Sequence, residues 1–167
     1  MKKMNVDNIP ADARWGMAAK GLTGALSAHL SAIHELAGKE KYAELMSAIW
    51  SQIGKGSAEE IKASGAPVGN AKEVAEAGVA VCMAAMGPEY TIEQVEADDD
   101  RTVMKIIECP WNNRLKDFGT KNDIMSACDV AFWKEFVKTL NPKVTMRHGK
   151  QMHMGAPYCE WIFEAKK

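Results

Sequence analysis

The hydrophobic pattern changes at Gly87-Pro88, and this change constrains the fold more than any other feature of the chain. Before this point, apolar residues recur at the spacing of amphipathic helices. After it, the segment from Tyr90 to Glu96 alternates apolar and polar residues, as a half-buried strand does. A run of helices followed by a region with strands is typical of the α+β class. We therefore predict an α+β fold.

The apolar spacing before Gly87 predicts four helices. Pro10 suits the first turn of a helix, and Gly38 suits a helix end. Gly54 and Gly56 are expected to interrupt the second helix, because glycine is a poor helix former. The predicted helices cover residues 10–37, residues 39–53, residues 57–64 and, after a cap at Asn70, the stretch up to Gly87.

The region after Gly87 predicts two hairpins separated by a helix. The order strand-strand-helix-strand-strand favours a four-stranded, mainly antiparallel sheet on which the helical N-terminal half packs. The predicted strands are 90–96, 102–108, 143–148 and 158–165, with a connector at 111–119 and a helix from a Thr120 cap to Leu140. We predict a single domain over 1–167, made of a flexible tail (1–9), a helical part (10–87) and a sheet with one helix (88–167).

Composition excludes several functional classes. Of the 167 residues, 47% are hydrophobic and 26% are charged, as in ordinary soluble proteins. The formal net charge of -1 gives no basic surface for nucleic acid. No apolar run follows Met1-Lys2-Lys3, and none is long enough to span a bilayer. The sequence thus predicts a cytoplasmic protein that binds neither nucleic acid nor membrane.

The cysteines and histidines of the C-terminal half are the candidates for chemistry. Four cysteines in this chain do not make a disulfide scaffold, and indicate buried thiols, metal ligands or a nucleophile. Cys109 stands where the second strand ends and is the preferred nucleophile. His148 or His153 is the candidate base, and Asp129 or Glu160 would orient its imidazole. The alternative is a buried strand-end cysteine with two surface histidines.

Three of the cysteines are expected to converge. Cys109, Cys128 and Cys159 are predicted to lie in or near one cavity, because they occupy a strand end, an inward helix face and a strand. With His148 they form an alternative Cys₃His metal set. A nucleophilic Cys109 would need its pKa lowered by a neighbouring imidazolium. The residues expected to contact a substrate are Trp111, Cys128, Trp133, Tyr158, Cys159 and Trp161.

Four short motifs in the C-terminal half resemble those of a known family. They are Cys109-Pro-Trp, the helix that carries Cys128, Asn141-Pro142, and the segment from Met154 to Trp161. They look like the L-2-amino-thiazoline-4-carboxylic acid hydrolase-like family. The last hairpin is also similar to ligand-binding domains named after vinyl reductase. The first resemblance implies hydrolytic opening of a cyclic amidine ring in a thiazoline pathway leading to cysteine. The candidates for holding a substrate carboxylate are Arg101, Arg114 and Arg147.

Two functional hypotheses follow. The first is a small hydrolase that acts on a non-peptide C–N bond with a cysteine nucleophile and no predicted cofactor. The alternative is a non-enzymatic module that binds or senses a small ligand, a haem-like molecule or a metal. The Met-rich segment 146–154 indicates the second. Both hypotheses require a small-molecule partner. A homodimer formed through the N-terminal helix is a further alternative.

Overall fold

The computed structural model describes residues 8–117 and 123–167, and within them the predicted α+β class is confirmed. Most of the helical residues precede the sheet, as the hydrophobic pattern predicts. None of the helices in these two ranges is long and apolar enough to span a membrane. The helices are α1 (Ala11–Ala37), α2 (Lys39–Ala63), α3 (Ala71–Met86), α4 (Pro110–Asp117) and α5 (Asp123–Leu140).

The strands form the expected four-stranded sheet, and every neighbouring pair is antiparallel. Two hairpins, β1–β2 and β3–β4, are joined edge to edge by the pairing of β2 with β4, which gives the order β1-β2-β4-β3. A short 3-10 helix links β3 to β4. The strands are β1 (Thr91–Ala97), β2 (Arg101–Glu108), β3 (Val144–His148) and β4 (Cys159–Ala165), and the 3-10 helix is Met152–Met154.

The register of β4 decides which side chains face the helices. Trp161 lies opposite Met104 of β2 and His148 of β3. Because side chains directly opposite each other share a face, all three project to the same side. Trp161 and Met104 are buried there. On the other face Glu164 accepts hydrogen bonds from two arginine side chains, Arg101 at 3.0 Å and Arg147 at 3.1 Å.

The second helix does not stop at the glycines that were expected to interrupt it. α2 continues through Gly54 and Gly56 to Ala63, so the predicted short helix at 57–64 is its last part. A Cβ at Gly54 would overlap the carbonyl oxygen of Phe132 on α5, whereas a Cβ at Gly56 would meet nothing within 4 Å. Gly54 thus allows α2 and α5 to approach closely, and this tertiary contact outweighs the helix propensity.

The predicted connector at 111–119 contains a helix instead. α4 begins at Pro110, a favoured first position because proline has no N–H to donate. Trp111 and Leu115, four residues apart, are both buried on one face. That buried face decides the conformation, although Asn112-Asn113 suggested a loop. The predicted cap at Thr120 lies outside the described residues.

The remaining helix ends follow the expected local signals. Asn70 caps α3, since its side chain accepts a hydrogen bond of 2.9 Å from the backbone N–H of Glu73. The Asn70 amide also donates to Asp99 at 3.0 Å, which ties α3 to the β1–β2 turn. Gly87 ends α3 with φ of 85°, a conformation that glycine adopts without strain.

Candidate functional site

An apolar cavity of about 220 Å³ lies between the helices and the inner face of the sheet. All five helices contribute to its wall, together with β2 and β4. Leu22 of α1 and Ile53 of α2 line it and are also exposed, so the wall of the cavity reaches the surface at these two residues. Six aromatic side chains form much of the wall, namely Trp50, Tyr90, Trp111, Phe132, Trp133 and Trp161.

The aromatic walls are held by contacts among the rings. Trp50 stacks on Trp111 with centroids 5.0 Å apart, and Trp133 meets Trp161 at 4.5 Å. Phe132 contacts both Trp50 and Trp133, which links the two pairs. Such ring pairs add to the free energy of area burial and restrict rotamers. The cavity is therefore bounded by preorganised flat surfaces that suit a planar ligand.

The cysteines converge on the cavity, but not in the predicted combination. Cys109 and Cys159 line it, and so does Cys82, which is not among the predicted site residues. Cys128 does not line it. Its Sγ lies 3.6 Å from the Tyr42 hydroxyl, between α5 and α2. Cys128 was predicted to lie in or near the same cavity, but α5 is buried on two sides and the Cys128 side chain faces α2.

The thiol environments oppose the lowered pKa expected for a nucleophile. Burial raises the pKa of Cys109 to about 12. The backbone N–H of Asn112, 3.5 Å from the Cys109 Sγ, acts in the opposite direction and only partly offsets burial. Burial likewise raises the pKa of Cys128 to about 12 and raises that of Cys159. At neutral pH these groups are thiols.

We expect slow alkylation of all four cysteines in the folded protein at pH 7. Cys159, which is half-buried, should react first, ahead of the buried Cys82, Cys109 and Cys128. Because thiolate is the reacting form, the rate at Cys109 should rise about tenfold per pH unit without a plateau below about pH 10. Iodoacetamide labelling read by peptide mass spectrometry measures this, with urea-unfolded protein as the control. A plateau near neutral pH at Cys109 would contradict it.

A polar cluster occupies one part of the cavity wall. Asp129 of α5 and His153 of the 3-10 helix both line the cavity. His148 of β3 does not line it, but its Nε2 lies 2.8 Å from Asp129 Oδ2. Ser126, one turn before Asp129, lies with Oγ 3.0 Å from His153 Nε2. Burial lowers the pKa of His153, and the nearby Asp129 only partly opposes this.

Two buried donors beside the cavity have no hydrogen-bond partner among residues 8–117 and 123–167. They are Trp111 Nε1 and Asn112 Nδ2, on the first turn of α4, and both residues line the cavity. An unpaired buried donor costs free energy, so native structures rarely retain one without a reason. This turn of α4 is therefore a second place where a ligand could find polar partners.

The other predicted contact residues divide between cavity and surface. Trp111, Trp133 and Trp161 line the cavity. Tyr158 does not, because it lies on the outer face of the sheet beside Lys150, whose Nζ is 2.6 Å from the Tyr158 hydroxyl. Glu160 faces outward too, and its carboxylate accepts from the backbone N–H of Lys150.

The arginines considered for a substrate carboxylate have other partners. Arg101 and Arg147 bind Glu164 on the outer face of the sheet. Arg114 donates to Glu89 at 2.6 Å. None of the three lines the cavity, and neither does any other arginine or lysine of the described residues.

Metal ligation finds no support in the described part of the chain. Within 8–117 and 123–167, no group of three histidine, cysteine, aspartate or glutamate side chains is placed to hold a metal ion. The proposed set of Cys109, Cys128, Cys159 and His148 is therefore not assembled. The separation of Cys128 from the cavity is one reason.

Several lining residues escaped prediction for a common reason. Trp50 and Phe132 belong to apolar helix stripes, and Cys82 belongs to a face of small residues. For each of them the sequence pattern predicts only a buried core position. Ser126, which does not line the cavity, carried no signal at all, because its contact with His153 joins residues far apart in sequence. Periodicity shows that a residue is buried, but not whether its neighbour is another side chain or a cavity.

Comparison with solved structures identifies the general architecture. A crystal structure described as the phenol-responsive sensory domain of the transcription activator PoxR, with phenol, matches at a TM-score of 0.58. The alignment covers 86% of this chain and 74% of that chain at 14% sequence identity, so it establishes likeness of fold.

Comparison of sequences identifies the family. No match to the chain is found among curated proteins. Residues 20–163 match the family described as L-2-amino-thiazoline-4-carboxylic acid hydrolase, and this span includes the cavity residues of every element. The match confirms the resemblance suggested by the short motifs. The chain belongs to the L-2-amino-thiazoline-4-carboxylic acid hydrolase family.

Proposed function

We propose that the protein is a binding module for a small, mainly apolar, planar molecule that occupies the cavity. The observation that carries this proposal is the aromatic wall around about 220 Å³ of space. An engineered apolar cavity of about 150 Å³ holds benzene in another protein. The present cavity thus has room for one six-membered ring with a small substituent. Ligand pockets are typically apolar with a few placed polar groups, as here.

The likeness of fold supports the same proposal. The PoxR sensory domain is described as phenol-responsive and contains phenol. Phenol is one six-membered ring with one polar group, which is the size and chemistry that this cavity accommodates. The buried thiols also suit a binding role, because neutral sulfur makes favourable contacts with aromatic rings.

Titration with toluene and with phenol tests the proposal. Four of the five tryptophans line the cavity, so their fluorescence should report ligand entry. Saturable changes are expected for both compounds, with a matching rise in melting temperature. At a free ligand concentration about 100 times Kd, the added stability is about 2.7 kcal/mol.

A pair of variants makes the test specific to the cavity. Val81→Phe adds a ring to a residue of the wall, and should weaken binding strongly. Leu36→Phe makes a similar change at an exposed position outside the wall, and should leave binding intact. If neither compound binds the parent protein, or both variants bind equally well, the proposal is wrong.

Hydrolysis of a C–N bond in a cyclic amidine is the second candidate, and family membership is the observation that favours it. Cys109 is its nucleophile, placed at the start of α4, where backbone N–H groups favour a thiolate. With a pKa of about 12, however, only about one Cys109 in 10⁵ is ionised at pH 7. The family's description names a carboxylic acid, yet no arginine or lysine of the described residues lines the cavity. Fast labelling of Cys109 at neutral pH would favour this candidate over the first.

A further inference from the structure

The charge distribution around the cavity is one-sided. Asp129 is the acidic side chain in the wall, and among the described residues the wall has no lysine or arginine to balance it. His153 also lies in the wall. Burial lowers the pKa of its imidazole and so favours the neutral form. A ligand in the cavity therefore meets a carboxylate and a neutral imidazole within otherwise apolar surroundings.

Each of these two groups has one atom engaged and one atom available. Asp129 Oδ2 lies 2.8 Å from His148 Nε2, and His153 Nε2 lies 3.0 Å from Ser126 Oγ. The second oxygen of Asp129 and Nδ1 of His153 make no hydrogen bond in the described part of the chain. In the tautomer whose Nε2–H donates to Ser126 Oγ, Nδ1 of His153 is an acceptor for a ligand, and so is the second oxygen of Asp129.

We infer that Asp129 and His153 form a polar subsite that recognises an N–H or O–H donor on the ligand and discriminates against carboxylates. This inference rests on the proposed binding function, and it names the chemical class of the ligand. Neutral donors such as amides and phenols fit the subsite, and so do cationic amidines and amines.

The selection against carboxylates follows from the cost of desolvation. A carboxylate entering the cavity would lose its hydration without gaining a lysine or arginine partner among the described residues, and it would face the like charge of Asp129. An amidinium would lose hydration too, but it gains an opposite charge and a charge-assisted hydrogen bond to the free oxygen of Asp129. Its delocalised cation also faces the aromatic walls, which attract cations.

Three ligands of nearly equal shape test this inference. Benzamidine, benzamide and benzoate each carry a planar three-heavy-atom group on one ring, with charges of +1, 0 and -1 at neutral pH. We expect measurable binding of benzamidine and benzamide, and binding of benzoate at least about tenfold weaker than that of benzamide. Tryptophan fluorescence and calorimetry at fixed ionic strength measure the three affinities. Equal affinities for all three would overturn the inference.

A variant pair assigns the selectivity to the subsite. Asp129→Asn removes the charge and should narrow the benzamidine-to-benzoate affinity ratio about tenfold or more, while benzamide still binds. Glu135→Gln removes a charge from the same helix at a residue outside the wall, and should leave the ratio unchanged. An unchanged ratio in Asp129→Asn would remove Asp129 from ligand recognition.

Toluene separates failure of this inference from failure of the proposed function. If toluene binds but benzamidine, benzamide and benzoate have equal affinities, the cavity is a ligand site without the polar selectivity. If toluene and all three analogues fail to bind, the cavity is not a ligand site and both proposals are wrong. Benzoate binding more tightly than benzamide would keep the ligand site and reverse the inferred chemistry.

Discussion

Replacing Trp161 by alanine is expected to lower the free energy of unfolding by about 3–5 kcal/mol, the usual cost of truncating a large buried aromatic side chain. Trp161 is buried on the central strand β4. Its ring centroid lies 4.5 Å from that of Trp133 and 6.2 Å from that of Tyr90. Its loss removes dispersion contacts with both rings and enlarges the existing cavity. The surrounding strands cannot close the space, because the register of β4 is fixed on both sides.

Denaturant unfolding of parent and variant measures this difference. Trp15→Ala is the matched control, since 37% of the area of Trp15 is exposed, against 5% for Trp161. It should cost less than Trp161→Ala, about 1–2 kcal/mol, from partial loss of apolar burial and of the hydrogen bond from its Nε1 to the carbonyl of Ala84. Equal losses for the two variants would contradict the placement of Trp161 in the core.

Gly54→Ala is expected to cost about 3 kcal/mol, although alanine is the better helix former. The added Cβ would overlap the Phe132 carbonyl oxygen and lie 3.1 Å from the carbonyl carbon of that residue. These are backbone atoms of a buried helix, so neither can rotate away as a flexible side chain could. α2 and α5 would have to separate, which disturbs the Trp50–Phe132 contact at the cavity wall.

Gly56→Ala provides an internal control for this prediction. It lies two residues away in the same helix, and its Cβ would meet nothing within 4 Å. This substitution should stabilise the protein by about 0.5–1 kcal/mol through helix propensity alone. Thermal and denaturant melts of both variants give the comparison. Stabilisation by Gly54→Ala would show that α2 and α5 are not in close contact there.

The two glycines also show how far sequence patterns predict this fold. Helix stripes, the Asn70 cap and the alternating strands are local signals, and the structure confirms the elements that they predict. Gly54 and Gly56 have the same local propensity, yet one of them mediates a helix contact with Phe132, 78 positions along the chain (132 − 54). α4 was missed for a related reason, because its helix depends on burying Trp111 and Leu115 against other elements.

The residues of the candidate site could also be predicted only in part. The sequence indicated Cys109, Asp129, His153 and Trp161 as neighbours, and all four line one cavity. It could not separate Cys128 from Asp129, which are adjacent on α5 but point to different surroundings. A helix buried on two sides has two inward faces, and periodicity alone does not say which of them meets an open space. The thiol pKa values depend on the same three-dimensional surroundings, so they could not be inferred from residue order.

The order of the sheet has a consequence for synthesis of the chain. β4 follows all the other strands in sequence but lies between β2 and β3, and it supplies hydrogen bonds to both. Before β4 has left the ribosome, the chain contains the β1–β2 hairpin and a separate β3, and each has an unpaired edge. Such edges invite pairing with other chains. The hydrogen bonds within each helix are local, so individual helices can form earlier. Completion of the sheet, and with it the inner wall that carries Trp161, is therefore expected to follow formation of the β1–β2 hairpin.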